Sequence, residues 1–311
     1  MEKMMNRLKI LARFLKFYVR AKTKYSVHSP FVFEFLNNVL EDERRFYAFQ
    51  EAEILRGRLL DSDELVEVAD FGAGSHIDGN KKQRRVGSIA TSALSSDFQC
   101  EWLFKICNTY KPLKIIELGT SLGVSTLYLT EGSPKNATIL TLEGSPAIAQ
   151  LAQRNFLWFY DAFKKYGLRF HNTETLDLNY YEKNITTDFN HHKIKIIEGN
   201  FDKTLQLALN QLVTLDLCFI DGNHRLEPTI QYFEQCLAHT HPQSILIFDD
   251  IHWSEEMELA WATIQTHPSV RLTIDLFWCG IVFFRNENKE QEHFSLIKAA
   301  WKPFSWGFFS S

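Results

Sequence analysis

The sequence is poor in the features that define several classes of protein. It has only five cysteines in 311 residues, and none forms a C-x-x-C pair, which argues against a zinc knuckle or a redox motif. No apolar run approaches the roughly 20 residues of a membrane-spanning helix. The first residues lack the pattern of a signal peptide, and an odd, scattered set of cysteines is typical of reduced thiols. We therefore expect a cytoplasmic protein.

The net charge of the whole chain is small, but positive charge is concentrated at its start. The net charge of −4 gives no basic field for nucleic acid, so we expect no nucleic-acid partner. Residues 3–24, in contrast, carry eight lysines and arginines and no acid, and Leu8, Leu11, Leu15 and Tyr18 recur there at helical spacing. This pattern predicts a basic amphipathic helix that contacts an anionic membrane surface, or packs on its own domain or on the second subunit of a homodimer.

From Asp97 onward, short apolar stretches alternate with helical patterns. Strands are predicted over 114–118, 138–142, 193–198, 215–220 and 244–248, with a closing pair near 270–276 and 280–285. Strands that alternate with helices predict an α/β fold, here a Rossmann-like, doubly wound, mainly parallel sheet with a closing antiparallel hairpin and an N-terminal helical extension. Residues 70–92 are predicted to be a loop or lid, 169–192 a polar insert and 287–311 an aromatic tail.

Three motifs follow successive predicted strands. The first is a turn with two glycines, Gly119-Thr120-Ser121-Leu122-Gly123, which comes after the acid Glu117. Glycine lets backbone approach a ligand closely, and the carboxylate of Glu117 suits a cationic group. The second is Glu143-Gly144, where folds of this type bond a ribose diol. The third is Gly199-Asn200. Because the ends of parallel strands lie side by side, we expect these motifs to form one nucleoside-binding edge.

Carboxylates also follow the next two predicted strands. Asp221 ends one of them and is followed by His224, and Asp249-Asp250 ends the other. Three neighbouring carboxylates repel one another unless a proton or a cation neutralises them, and oxygen ligands favour Mg²⁺. We therefore predict a Mg²⁺ site at Asp221, Asp249 and Asp250, against the alternative that these acids only cap helices. His224 is the candidate general base, because the ordinary pKa of histidine is near neutral.

These motifs resemble class I S-adenosylmethionine-dependent methyltransferases over about residues 97–286, and the two acidic segments resemble metal-dependent O-methyltransferases of the catechol and macrocin types. The resemblance implies that Glu117 and Gly119 lie near the methionine part, Glu143 on the ribose and Gly199-Asn200 near adenine. His224 matches the macrocin type, whereas the catechol type has lysine there and asparagine at the position of Asp250.

The resemblance divides the chain into a helical extension with a lid (1–95), a methyltransferase domain (96–286) and a tail (287–311). The protein is predicted to methylate a small-molecule acceptor, most simply at oxygen and with help from the metal. The predicted cofactor contacts are Glu117, Gly119, Thr120, Ser121, Gly123, Glu143, Gly144, Gly199, Asn200 and Asp221.

Two other functions remain open at this point. Residues 119–123 also read as G-x-S-x-G, the nucleophile elbow of serine hydrolases. That reading leaves Glu143 and the pair Asp249-Asp250 without a role, and the elbow follows the first clear strand rather than several. The second alternative is a non-catalytic module that binds S-adenosylmethionine, although such a module has no need of His224.

Overall fold

The structure is a computed structural model, and it describes residues 2–68, 82–162, 188–189 and 192–302. The chain divides into two compact units. The central unit comprises Arg45–Ala208, and the terminal unit comprises Met1–Arg44 and Leu209–Ser311. None of the described helices is long and apolar enough to cross a membrane. The domain boundaries at residues 95 and 286 stay predictions.

The central unit begins with a helix, a two-stranded hairpin and two further helices, and then alternates strands with helices. Its helices are α3 (Tyr47–Leu60), α4 (Val86–Ala93), α5 (Asp97–Tyr110), α6 (Val124–Gly132), α7 (Pro146–Leu157) and the start of α8 (Phe201–Leu212). They follow α1 and α2 of the terminal unit, described below. The strands are β1 (Leu65–Val68), β2 (Lys82–Arg85), β3 (Lys114–Leu118), β4 (Thr138–Glu143), β5 (Asp188–Phe189) and β6 (His192–Glu198).

The part of the sheet in the central unit has the strand order β3-β4-β6-β5. β3 pairs with β4 in parallel, β4 pairs with β6 in parallel, and β5 is antiparallel to β6. The β3 residues Ile115, Ile116 and Leu118 are fully buried, as expected for a strand covered on both faces. Because these strands run in parallel, the residues that follow them meet at one edge.

The terminal unit contains both ends of the described chain. Its helices are α1 (Glu2–Arg20), α2 (Pro30–Phe35), the end of α8, α9 (Leu226–Leu237) and α10 (Glu255–Gln265). Its strands are β7 (Leu217–Ile220), β8 (Ile245–Asp249), β9 (Leu272–Asp275), β10 (Cys279–Phe283) and β11 (Glu292–Ser295). Pro30 begins α2, a position where the missing N–H of proline costs nothing.

The strands of the terminal unit have the order β11-β9-β10-β8-β7. β7 and β8 are parallel, and β9 and β10 form the predicted closing hairpin, with β10 antiparallel to β8. The α/β fold class, the mainly parallel strands and the antiparallel hairpin predicted from the sequence are therefore confirmed. All five cysteines lie in described segments, where they are buried and form no disulfide bond.

One sequence prediction, the loop over 70–92, is wrong in part. The loop predicted over 70–92 ends by Lys82, where β2 and then α4 begin; Val86, Ile89 and Ala90 are buried at helical spacing, a short pattern hidden by polar neighbours. The tail after residue 286 also has regular structure, because β11 pairs in parallel with β9. Residues 69–81, most of the polar insert and residues 303–311 lie outside the described residues.

Close helix packing in the central unit gives a stability prediction. A Cβ atom at Gly132, the last residue of α6, would lie 2.5 Å from the Phe104 carbonyl oxygen and 2.9 Å from Cys107 Cβ. Gly132→Ala should therefore cost about 1–3 kcal/mol of unfolding free energy, measured by denaturant titration. Gly57→Ala is the matched control, because nothing lies within 4 Å of the added methyl; it should be neutral or stabilising by up to about 1 kcal/mol. Equal effects at the two positions would contradict the packing argument.

Candidate functional site

The glycine turn after β3 depends on backbone conformations that favour glycine. Gly119 and Gly123 have φ of 100° and 85°, in the left-handed region that L side chains avoid. A Cβ on Gly123 would also lie 2.5 Å from the Phe156 ring. The amides of Gly119 and Thr120 both donate to the Leu142 carbonyl at 3.0 Å, so the turn is fastened to the end of β4.

Glu143 ends β4 and contacts the same turn. Its Oε2 accepts from the Ser121 amide at 3.0 Å and its Oε1 from the Ser145 amide at 2.8 Å. Burial raises the pKa of Glu143, and hydrogen bonds from the backbone of Ser145, Ser121 and Gly144 oppose that shift. The carboxylate is therefore fixed beside the glycine turn and is only partly exposed. Burial disfavours its charge, while the backbone hydrogen bonds stabilise that charge.

Glu117 lies deeper than a ligand-contacting residue would. Its side chain is fully buried, and its oxygens accept from Ser125 Oγ at 2.7 Å, Thr126 Oγ1 at 2.5 Å and Thr141 Oγ1 at 2.6 Å. These hydroxyls on α6 and β4 tie the strand to its neighbours. The predicted contact of Glu117 with the methionine part of a cofactor stays a prediction.

The third predicted motif lies at the end of β6, next to Glu143. The register pairs Glu198 with Glu143, and the Gly199 amide donates to the Glu143 carbonyl at 2.9 Å. Asn200 caps α8, because its Oδ1 accepts from the Asp202 amide at 2.9 Å. The central unit thus brings the three motifs to adjoining strand ends, as the sequence predicts.

The acidic cluster, defined as Asp221, Asp249 and Asp250, lies in the terminal unit. Burial raises the pKa of Asp249 strongly, and the charges of Asp221 and Asp250 raise it further. Burial likewise raises the pKa of Asp250, opposed by the charge of His224 and supported by that of Asp221. The three carboxylates are therefore close enough to repel one another, and Asp221, assigned from sequence to the cofactor as well, stands with them.

His224 faces this cluster. Its Nε2 lies 3.5 Å from Asp221 Oδ1, and both side chains are partly buried. Burial lowers the pKa of His224, but the hydrogen bond to Asp221 and the charges of Asp221 and Asp250 outweigh that effect and leave it above its ordinary value.

Backbone strain is concentrated in these turns. Four non-glycine residues of the candidate site have positive φ: Ser121 at 48°, Asn223 at 67°, His224 at 35° and Asp250 at 53°. Such conformations cost energy and persist only when surrounding contacts enforce them. The Asp250 amide, for example, donates to the Trp278 carbonyl at 2.7 Å. The only sequence signal for these positions is residue type, since asparagine, aspartate and histidine adopt positive φ more often than other non-glycine residues.

A network around His252 was also missed from sequence. His252 Nδ1 lies 2.9 Å from Glu258 Oε1, and its Nε2 lies 3.1 Å from Asp275 Oδ2. Arg13 on α1 donates to Glu258 Oε2 and to the carbonyl of Trp253. These contacts fix the segment that follows Asp250. The Arg13 contacts join residues more than 200 positions apart, which no local pattern can reveal.

A ready-made metal site is not present among residues 2–68, 82–162, 188–189 and 192–302. No group of three or more histidine, cysteine, aspartate or glutamate side chains there is spaced to hold a metal ion. The donor chemistry of the acidic cluster nonetheless suits Mg²⁺, which is commonly held by one or two carboxylates together with waters and substrate oxygens.

Residues 116–251 match a family model described as a methyltransferase domain, a little under half of the chain. The segment contains the glycine turn, Glu143, Gly199-Asn200, Asp221, His224 and Asp249-Asp250. The prediction that this part of the chain is a methyltransferase domain is thereby confirmed, and it favours the methyltransferase over the serine-hydrolase alternative. The roles of individual residues stay predictions.

Similar proteins include two named methyltransferases. The O-methyltransferase hkm8 of Aspergillus hancockii is 42% identical over 62 residues, which cover 20% of this chain and 25% of that protein. A catechol O-methyltransferase of Niastella koreensis is 26% identical over 138 residues, 44% of this chain and 48% of that protein. The chain therefore spans a quarter to a half of the length of these relatives. A solved structure, the SAH-bound methyltransferase PaMTH1 of Podospora anserina, is 19% identical with a TM-score of 0.48, covering 78% of this chain and 89% of that one.

Proposed function

We propose that the protein is an S-adenosylmethionine-dependent O-methyltransferase that acts on a small-molecule acceptor. The observation that carries the proposal is the fixed position of Glu143, whose two oxygens accept from the Ser121 and Ser145 amides beside a glycine turn. This arrangement within a methyltransferase domain supports cofactor binding at the ends of β3, β4 and β6. Two of the similar proteins are named as O-methyltransferases, which supports oxygen as the acceptor atom.

The candidate site residues of the central unit have separate roles in this proposal. Glu143 accepts from the ribose hydroxyls, the turn that begins at Gly119 approaches the cofactor with its backbone, and Gly199-Asn200 borders the adenine. Bound S-adenosylmethionine supplies a methyl group on a positively charged sulfur. The buried hydroxyl network around Glu117 keeps β3, β4 and α6 in register, so that the turn retains its shape before any ligand arrives.

In this proposal, residues of the terminal unit prepare the hydroxyl of the methyl acceptor for reaction. Asp221, Asp249 and Asp250 would hold a divalent cation, most simply Mg²⁺, and a cation bound there supplies positive charge that favours ionisation of an acceptor hydroxyl. His224 accepts the proton that the hydroxyl loses. Its position rests on its contact with Asp221. The acceptor itself can be sought by mass spectrometry of a metabolite extract incubated with isotopically labelled cofactor.

Glu143→Ala should weaken S-adenosylmethionine binding at least about tenfold, because hydrogen bonds to a charged acceptor are lost. Isothermal titration calorimetry measures the affinity. In the wild type, affinity should fall as the pH drops through the raised pKa of Glu143, since protonation removes the charged acceptor. Glu143→Gln should abolish that pH dependence.

Glu64→Ala is the matched control for Glu143, because it removes an exposed carboxylate of the same unit that pairs with Arg154. It should leave affinity and its pH profile unchanged. If Glu143→Ala bound the cofactor as well as the wild type while remaining folded, the ribose assignment would be wrong.

The metal assignment predicts that Asp249→Asn increases Tm in metal-free buffer and removes the increase in Tm that Mg²⁺ gives the wild type. The pKa of Asp249 is raised in the folded state, so in metal-free buffer its ionisation destabilises the protein as pH rises from the ordinary carboxyl range through that raised pKa. Asp249→Asn should therefore increase Tm at neutral pH without metal. Mg²⁺ should increase the Tm of the wild type and not that of the variant.

Asp216→Asn is the control, since Asp216 is an acid of the same unit that pairs with His241 rather than with the cluster. It should keep the wild-type response to Mg²⁺. A wild type whose Tm and activity ignore both Mg²⁺ and EDTA would rule out the metal and leave the rest of the proposal standing.

His224→Gln should lower kcat by roughly 10²–10⁴ if the imidazole removes the acceptor proton. Cofactor affinity should stay near the wild-type value, and the loss of rate should shrink at high pH, where acceptor hydroxyls ionise unaided. His239→Gln is the control, because His239 bonds the Val213 carbonyl in the same unit. A variant at position 224 with wild-type kcat at neutral pH would refute the base assignment.

A further inference from the structure

Helix α1 has one face that packs on its own unit. Phe17 and Ala21 are buried against Phe277 and Ile297, with Ile10, Phe14 and Tyr18 packed around them. The Phe14 ring meets that of Phe277 edge-on, with centroids 5.0 Å apart. This face accounts for the orientation of α1, and it uses only part of the apolar surface of the helix.

A second apolar stripe on α1 is exposed. Leu8, Leu11, Leu15 and Val19 are 59%, 52%, 54% and 76% accessible. They recur at spacings of three and four residues and therefore share one face of the helix. Four large apolar side chains in one exposed row are unusual for the surface of a protein and mark an interaction site.

From Arg7 onward, the charged side chains of α1 are all basic, and two of them pair with acids of α10. Lys9 and Arg13 donate to Glu255 and Glu258 of α10, so their charge is compensated. Arg7, Lys16 and Arg20 are exposed. Lys16 and Arg20 directly follow Leu15 and Val19, which places their long side chains beside the stripe, where the charged ends reach outward along the apolar edge.

We propose that this face of α1 binds the surface of an anionic phospholipid membrane. The leucines and Val19 would enter the boundary between headgroups and acyl chains, while Arg7, Lys16 and Arg20 contact phosphates and acidic headgroups, the arrangement of an interfacial amphipathic helix. The inference is independent of the methyltransferase reaction, and it adds a site of action for the protein.

Charge favours lipid over a second copy of the chain. A two-fold contact through this face would bring the same patch against itself. Arg7, Lys16 and Arg20 would then face like charges, since the acids beside the helix, Glu255 and Glu258, already pair with Lys9 and Arg13. A membrane rich in anionic lipid instead supplies the missing negative charge, at about 1 kcal/mol for each basic residue near the surface.

Aromatic side chains next to α1 are consistent with such a surface. Trp253 and Trp301 are both exposed, and both lie on segments bonded to the helix: Arg13 Nη1 donates to the Trp253 carbonyl, and Tyr18 donates to the Trp301 carbonyl. Tryptophan is enriched where an apolar interior meets water and headgroups.

The test is vesicle flotation with the full-length protein. It should float with phosphatidylcholine vesicles that contain phosphatidylserine, fail to float with phosphatidylcholine alone, and dissociate as salt is raised. Two double variants, Lys16→Glu/Arg20→Glu and Leu11→Ser/Leu15→Ser, should each lower the partition coefficient at least about tenfold. All four side chains are exposed, so Tm should stay near the wild-type value.

Lys289→Glu and Leu259→Ser are matched controls, since both change exposed residues of the same unit outside α1, and they should bind vesicles like the wild type. Failure of the wild type to float with anionic vesicles overturns the proposal, as does equal flotation of the α1 variants. Light scattering covers the other occupant: a wild-type dimer that the α1 variants dissociate, without vesicle binding, would assign the face to contact between copies.

Discussion

Negative charge at the ends of strands is the constraint on which both units depend. The fold places carboxylates where burial makes ionisation costly, and each must be compensated locally. Glu117 is compensated by three hydroxyl donors and Glu143 by backbone amides. The acidic cluster differs, because His224 is the compensating group described beside it, and the pKa values of Asp249 and Asp250 remain raised.

This difference distinguishes carboxylates that stabilise the fold from carboxylates that are candidates for a chemical role. A carboxylate satisfied by fixed donors, such as Glu117, holds strands and a helix together and has little capacity left for a ligand. A cluster left with residual repulsion retains affinity for a cation or a proton, at a cost in stability that is typical of functional sites. The backbone strain at Asn223, His224 and Asp250 has the same character, since a relaxed turn would release the acids from one another.

Periodicity in the sequence predicted most of the fold because the strands are buried on both faces. The five residues of β3 match the predicted bounds, and each predicted strand of the sheet is present within a few residues. The elements that were missed have weak local signals. α4 is short and lies among polar residues, and β11 is a half-exposed strand whose place is set by pairing with β9.

The site was predictable to the level of residue type and strand end, and no further. Within each unit, sequence order places Glu143 beside Gly199 and Asp221 near Asp249, because parallel topology converts order into proximity. Sequence order cannot predict that Glu117 belongs to a buried hydrogen-bond network, because an acid at a strand end would equally suit contact with a ligand. Nor can it give Arg13, whose partners are brought near only by tertiary packing.

Arg13 joins helix α1 to the segment that follows Asp250. Its guanidinium bonds Glu258 and the carbonyls of His252 and Trp253, while His252 is held between Glu258 and Asp275. The packed face of α1 therefore supports the segment that follows Asp250, and the exposed stripe makes no contribution to that support. Because the two functions use different side chains of one helix, the exposed stripe is free to change composition without disturbing the acids.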